Sequence, residues 1–194
     1  MTNFEKEFSK ISKAKYAIAV SSATAGPHAA LEACNFKTED KVISPGLTVM
    51  MNAFVTSKSD LVPVFVDVNP VTWNIDADSI KKKITSKTKV IMPVSLFGLP
   101  LDIEPIMKLA QENDLIVIDD SAETILGTYK GKFAGYHSDA AVYSFENKKH
   151  MTSGGEGGMI ITSNETYAVK MRKFAGIGFK NLTASAGKVG MATS

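Results

Sequence analysis

Two neighbouring lysines, Lys148 and Lys149, stand where an apolar run gives way to a glycine-rich turn, in the stretch YSFENKKHMTSGGEGG over residues 143–158. A lysine becomes a nucleophile toward carbonyl compounds once its ammonium loses a proton, and partial burial or a second cation nearby favours that loss. Here each lysine has the other beside it. The same residues also read as a solvated basic pair followed by a glycine hairpin, because lysine stems cover surface while their charges stay in water.

Two further stretches carry chemistry. In LIVIDDSAE, residues 115–123, an apolar run ends in the carboxylates Asp119 and Asp120. Ligand sites of open parallel sheets lie beyond the carboxyl ends of the strands, so an acid there can face a ligand or cap the next turn. If the strand continues through both acids, they point to opposite sides and one alone faces the site. In VSSATAG, residues 20–26, small and hydroxyl residues lie between a strand and a helix start. Free backbone N–H groups and the positive end of the helix dipole make such a junction an anion site, with the Thr24 hydroxyl as an added donor. The plain alternative is an ordinary helix cap without a ligand. Neither a Walker A loop nor a dinucleotide glycine fingerprint is present, which weakens a nucleotide-hydrolase reading of Asp119 and Asp120. His28, His137 and His150 have no spacing that suggests a metal site, and the lone Cys34 reads as packing within a helix.

The elements that must hold these groups follow from periodicity. Short apolar runs at 16–20, 41–44, 61–66, 90–94, 115–118, 140–144 and 159–162 read as strands. Segments with helical spacing separate them, at 24–35, 48–57, 77–84, 103–113 and 165–174, and residues 4–11 read as the end of an amphipathic helix. Alternating strand and helix marks a mostly parallel sheet, and runs without strict alternation mark strands covered by helices on both faces. Residues 128–135 read as a hairpin or tight turn around Lys130 and Gly131. Residues 176–194 are rich in Gly, Ala, Ser and Lys with little apolar periodicity, as in a loop leading to a further element.

Composition bounds the function. With 194 residues, 44% hydrophobic and 22% charged, the chain has the balance of a folded globular domain. The 22 basic residues against 20 acidic ones give a net charge of +2, which provides no electrostatic footprint for nucleic acid or an anionic membrane. No apolar run approaches a membrane span, residues 1–15 lack the apolar core of a signal peptide, and one unpaired cysteine suits a reducing compartment. A cytoplasmic protein is the expectation.

Taken in order, SSATAGPHAAL, PVFVDVNPVTWNID, TKVIMPVSLFGLPLDI, VIDDSAE and YSFENKKHMTSGGEGGMIIT closely resemble the DegT-type sugar aminotransferases, from about Phe4 to Asn181. The specific features are Ser-Phe followed by four residues ending in lysine, a glycine-rich turn containing Glu, and an acid at a strand end some thirty residues earlier. The resemblance implies the large domain of the aspartate aminotransferase-like fold, fold type I of the pyridoxal 5′-phosphate enzymes. It implies that residues 1–194 are that domain, incomplete at both ends and without the family's C-terminal small domain.

Residue by residue, the resemblance implies that Lys149 joins the aldehyde carbon of pyridoxal phosphate, with Lys148 kept open as the alternative. Asp120 would pair with the pyridinium nitrogen. Ser144, Thr24 and the amides near Ala23 would hold the phosphate. Glu123 occupies a position where the family usually has Gln, against the ring face or its hydroxyl side. Ala23 replaces a common Gly, which requires a residue that avoids positive φ. Val49 replaces an aromatic residue that stacks on the ring in many members.

The implied reaction moves an amino group from an amino acid donor, glutamate in most members, to a keto-sugar. Nucleotide-linked sugars are the usual acceptors, and the residues around 145–150 also resemble enzymes acting on an octulosonate of cell-surface polysaccharide. A homodimer is expected of the complete enzyme. Two alternatives stand beside this reading: a pyridoxamine-phosphate-dependent sugar dehydratase, in which histidine replaces the lysine, and a non-catalytic or truncated relative.

Overall fold

Alternate side chains along the central strands enter different parts of the core, as the period of two requires. Ile18, Val42, Val90, Ile118, Val142 and Ile160 pack on one side of the sheet. Ile43, Ile91 and Val117 pack on the other, joined there by Ala17, Ala141, Tyr143, Met159 and Ile161. A strand buried on both sides needs apolar residues at nearly every position, and this is why these runs do not alternate with polar ones.

The computed structural model describes residues 2–176 and residue 178. Seven strands form the main sheet in the order β1-β9-β8-β5-β4-β2-β3. They are β1 (Tyr16–Val20), β2 (Lys41–Pro45), β3 (Val62–Val66), β4 (Thr88–Ile91), β5 (Ile116–Asp120), β8 (Ala140–Ser144) and β9 (Gly158–Thr162). β6 (Thr128–Tyr129) and β7 (Lys132–Phe133) form a separate hairpin around Lys130 and Gly131, both at positive φ. Six of the seven strands run in one direction. β9 alone is reversed, antiparallel to both β8 and β1.

Helices cover both faces. α2 (Ala25–Glu32), α3 (Met51–Lys58) and α6 (Glu165–Ala175) lie on the side of Val142 and Ile118. α1 (Thr2–Ser12), α4 (Ala77–Lys81) and α5 (Ile103–Glu112) lie on the other. The α/β class and the mostly parallel sheet are those the sequence predicts.

Several boundaries differ for identifiable reasons. β4 runs from 88 to 91 rather than from 90 to 94, because Pro93 has no N–H to give to a ladder. α3 begins at Met51 rather than at 48, leaving residues 46–50 as a loop over the strand ends. α4 stops at Lys81, inside the run Lys81-Lys82-Lys83. The expected loop over residues 176–194 lies, apart from Gly176 and Gly178, outside the described residues.

One polar clasp joins the two ends of the described chain. Arg172, the only arginine in the sequence, donates from Nη1 to Glu5 Oε1 at 2.8 Å and from Nη2 to the Ala17 carbonyl at 2.9 Å. Glu5 Oε1 also accepts the Ala19 N–H at 2.9 Å. Both side chains are largely buried, so each charge depends on the other.

Candidate active site

The turn between β1 and α2 is shaped by Gly158. This residue pairs with Val20 in the sheet, and a Cβ added to it would lie 2.7 Å from the Ser22 carbonyl carbon and 2.8 Å from the Ala23 nitrogen. The missing side chain lets the Ser22–Thr24 backbone settle across the strand end. Ala25 N–H bonds the Ser22 carbonyl at 3.2 Å and Gly26 N–H bonds the Ala23 carbonyl at 2.9 Å. The N–H groups of Ala23 and Thr24 donate to no described residue, so they remain available at the positive end of α2. Ala23 is not among the residues at positive φ, so its methyl is tolerated where the family commonly has Gly. Thr24 does not cap α2 through its side chain, contrary to a simple N-cap reading. Ser22 Oγ takes that place, accepting the Ala25 N–H at 3.3 Å and leaving the Thr24 hydroxyl uncommitted.

Strand β5 continues through both aspartates. Asp120 shares its face with Ile118, toward α2 and α3, whereas Asp119 shares its face with Val117. Asp120 is buried and accepts the Ala122 N–H at 3.2 Å. Burial pushes its carboxyl up to about 6, against the opposing influence of that N–H and of the Lys149 charge. Asp119 is buried too, accepts the Ser121 hydroxyl at 2.9 Å, and is pushed up to about 7, chiefly by burial.

Lys149 reaches the same space from the loop after β8. Its Nζ donates to Glu123 Oε1 at 3.1 Å, and Glu123 Oε2 accepts the Phe97 N–H at 3.1 Å. Burial works to raise the Glu123 carboxyl, but the Phe97 N–H and the Lys149 ammonium outweigh it and hold the group below its ordinary value. Lys148 is exposed and takes no part in the cavity wall.

Together these groups line a cavity of about 250 Å³ beyond the carboxyl ends of the parallel strands. Ala23, Thr24, Asp120, Glu123, Ser144 and Lys149 all border it. Ser144 shares the face of Val142, one position further along the strand period. Thr48 and Val49 border it as well, and Val49 is 61% exposed. His150 borders a separate depression with Gly98 and Met151.

The sequence reading missed several members of this site. Glu146 and Glu156 add two carboxylates to the wall, so four carboxylates face one ammonium, that of Lys149. Asn52 is fully buried on α3, and neither of its amide atoms has a hydrogen-bond partner of good geometry, although it lies near enough to Asp120 to favour the charged form. Its signal was legible: Asn52 falls on the buried stripe with Val55 and Thr56, where a lone amide needs a partner. The closeness of Gly158 to Ser22 left no such signal, since the two are far apart in sequence.

The remaining reactive side chains fall elsewhere. Cys34 donates to the Ala30 carbonyl at 3.2 Å and burial pushes its thiol up to about 11, so it is not a thiolate nucleophile. Among the described residues no group of three or more His, Cys, Asp or Glu side chains is arranged to hold a metal ion.

A mostly parallel sheet with helices on both faces, and a lysine and a buried strand-end aspartate bordering one cavity, define the large domain of the aspartate aminotransferase-like fold. The chain belongs to the DegT/DnrJ/EryC1/StrS aminotransferase family, whose model matches residues 1–192. It is 41% identical to GDP-perosamine synthase of Caulobacter vibrioides over 178 residues, which cover 92% of this chain and 48% of that protein. The aminotransferase from Psychrobacter cryohalolentis superimposes with a TM-score of 0.85 at 39% identity, covering 87% of this chain and 43% of that one. NtdA from Bacillus subtilis, solved with bound cofactor PMP, superimposes with a TM-score of 0.84 at 34% identity, covering 89% and 39%. The chain thus spans about half the length of the relatives it matches. No helix among the described residues is long and apolar enough to cross a membrane.

Proposed function

We propose that the protein of which this chain is part is a pyridoxal 5′-phosphate-dependent aminotransferase that moves an amino group from an amino acid, glutamate in the first instance, to a keto-sugar. The observation that carries this reading is the cavity in which Lys149 and buried Asp120 are brought together beside the open N–H groups of the Ser22–Thr24 turn. The residues present fit the cofactor. The Ser22–Thr24 backbone, seated where a Gly158 Cβ would lie, leaves the N–H groups of Ala23 and Thr24 uncommitted and suited to a phosphate, with the Thr24 and Ser144 hydroxyls as further donors. Asp120, desolvated and flanked by the unpartnered Asn52 amide, suits a ring nitrogen that carries a proton.

When bound, pyridoxal phosphate supplies an aldehyde that takes up the amino group and a ring that accepts electrons. The protein's part is positioning and proton movement. Lys149 Nζ would serve as the base that takes the proton from the donor's α-carbon and as the acid that gives it back on the far side of the transferred nitrogen. Glu123 holds that amine in place between turns. In the second half-reaction the same groups act in reverse on the keto-sugar. The balance is donor amino acid plus keto-sugar to 2-oxo acid plus amino-sugar.

The likeness to GDP-perosamine synthase supports a nucleotide-linked keto-sugar as acceptor, with an octulosonate of cell-surface polysaccharide as the second candidate. Lysine rather than histidine at the cavity, with His150 outside its wall, favours transfer over sugar dehydration. The assembly proposed is a homodimer across the cavity mouth, supported by exposed Val49, Met50, Phe54, Trp73 and Phe97. A cytoplasmic location agrees with a single unpaired cysteine. The direct test is the visible absorption spectrum of the purified chain with pyridoxal phosphate beside that of Lys149→Ala. A band of lysine-linked cofactor in the wild type and none in the variant is expected, together with loss of glutamate-dependent amino transfer. A variant that retains both would overturn the assignment.

A further inference from the structure

Residues 95–99 form a turn that lends Leu96 to the cavity wall and meets Glu123 through the Phe97 N–H, and its conformation is unusual. Phe97 lies at φ 52° and Gly98 at φ 84°, and a left-handed aromatic residue persists only where its surroundings hold it. The holding group is Asn74, at the end of the stretch NPVTWN. Asn74 is 4% exposed, donates from Nδ2 to the Leu99 carbonyl at 3.0 Å, and accepts the Leu96 N–H on Oδ1 at 2.9 Å. One side chain therefore closes both ends of the turn. The Trp73 ring packs edge-on against Phe97 at 5.7 Å, and the Thr124 hydroxyl bonds the Ser95 carbonyl at 2.8 Å.

The consequence lies at the tip. With its ends fixed, the turn aims the Phe97 N–H at one oxygen of Glu123, and the other oxygen meets Lys149. A carboxylate with a single partner can rotate away from a lysine. One pinned at its far oxygen cannot do so freely.

We infer that Asn74 is a positioning residue: by clamping the Leu96–Leu99 turn it fixes the Glu123 carboxylate against the amine of Lys149. The bearing of this on catalysis rests on the aminotransferase reading, whereas the clamp and the ion pair stand without it. Asn74 does not itself line the cavity and makes no hydrogen bond to Lys149; it meets the wall through the Leu96 N–H, and its link to the Lys149 amine runs through the Phe97 N–H and Glu123.

The test uses the full chain without added cofactor. An amine-reactive acetylating reagent is applied at mildly alkaline pH, and labelling of Lys149 relative to exposed Lys58 is followed by mass spectrometry. Glu123→Gln is expected to speed relative labelling of Lys149 by about three- to tenfold, since the amine loses the charged hydrogen-bond partner that engages it at 3.1 Å. Asn74→Ala should speed it at least about twofold, and the double variant should be no faster than Glu123→Gln, because both act through one group. Wild-type labelling in Asn74→Ala, or effects that multiply in the double variant, would overturn the inference. A general loosening of the fold would also raise the labelling of other half-buried lysines, Lys41 and Lys89 among them, relative to Lys58, whereas release of the clamp raises that of Lys149 alone. Should Asn74→Ala fail to fold, Asn74→Ser is read in its place, since it keeps a polar group in the buried position but is too short to bridge the turn. Failure of pyridoxal phosphate to bind would remove the aminotransferase reading and leave this result intact.

Discussion

The carboxyl groups of Asp119 and Asp120 leave one strand on opposite faces of the sheet, one toward Tyr143 and the other into the cavity with Lys149. Both are buried, yet only Asp120 has a cation near it. A single residue of register thus separates an acid that borders the cavity from an acid closed into the core.

Asp120→Asn tests the cavity side. The amide keeps the shape but cannot hold a charge opposite a protonated ring nitrogen, so amino transfer is expected to fall by roughly 100-fold or more. Thermal stability should stay level or rise, because a buried charge gives way to a neutral isostere. Turnover and melting temperature of the two proteins settle it, and wild-type turnover in the variant would contradict the role.

Asp119→Asn tests the core side through pH. Burial raises the folded-state value of Asp119 to about 7, above the roughly 3.9 of an unfolded aspartate, so the folded state binds the proton more tightly. The resulting stabilisation is complete below about pH 4 and is lost as pH rises through about 7. Asp120 adds a contribution of the same sign, lost through about 6. Urea midpoints of the wild type should decline across that window, and those of Asp119→Asn should decline less. Equal slopes would show that Asp119 is not the group responsible.

Gly158→Ala places a methyl 2.7 Å from the Ser22 carbonyl carbon. Backbone on both sides leaves little room to yield, so a loss of about 1–3 kcal/mol in stability is expected, with weaker binding of pyridoxal phosphate. Urea denaturation and a cofactor titration read the two effects. Unchanged stability would mean that the Ser22–Thr24 turn moves aside at no cost.

Arg172→Met strands the buried Glu5 carboxylate and leaves the Ala17 carbonyl without its donor. A cost of roughly 3–5 kcal/mol is expected. Glu5→Gln combined with Arg172→Met should cost less than the two single changes added, because no buried charge is left alone. Strict additivity, measured by denaturation of the four proteins, would argue against coupling.

Much of the site was legible in the sequence because its chemistry is local. Lys149 follows Ser144 within one loop, Asp120 ends an apolar run, and the small residues 21–26 bridge a strand and a helix. Glu123 and Asp120 share one turn. Asn74 stood inside a stretch that served only for family likeness, and nothing in its neighbours tells that its amide closes a turn 22 residues away.

The sequence by itself determined the alternation of strand and helix, the burial of both sheet faces and the residue types that meet at the strand ends, since periodicity and composition are properties of short segments. Only the tertiary structure decided the reversal of β9, the clasp of Arg172 on Glu5, the seat of Ser22 over Gly158 and the hold of Asn74 on the turn that meets Glu123. The reason is physical. An apolar run reads the same whether its strand runs up or down, and a hydrogen bond between residues 22 or 167 positions apart depends on how the elements pack, which no short segment encodes.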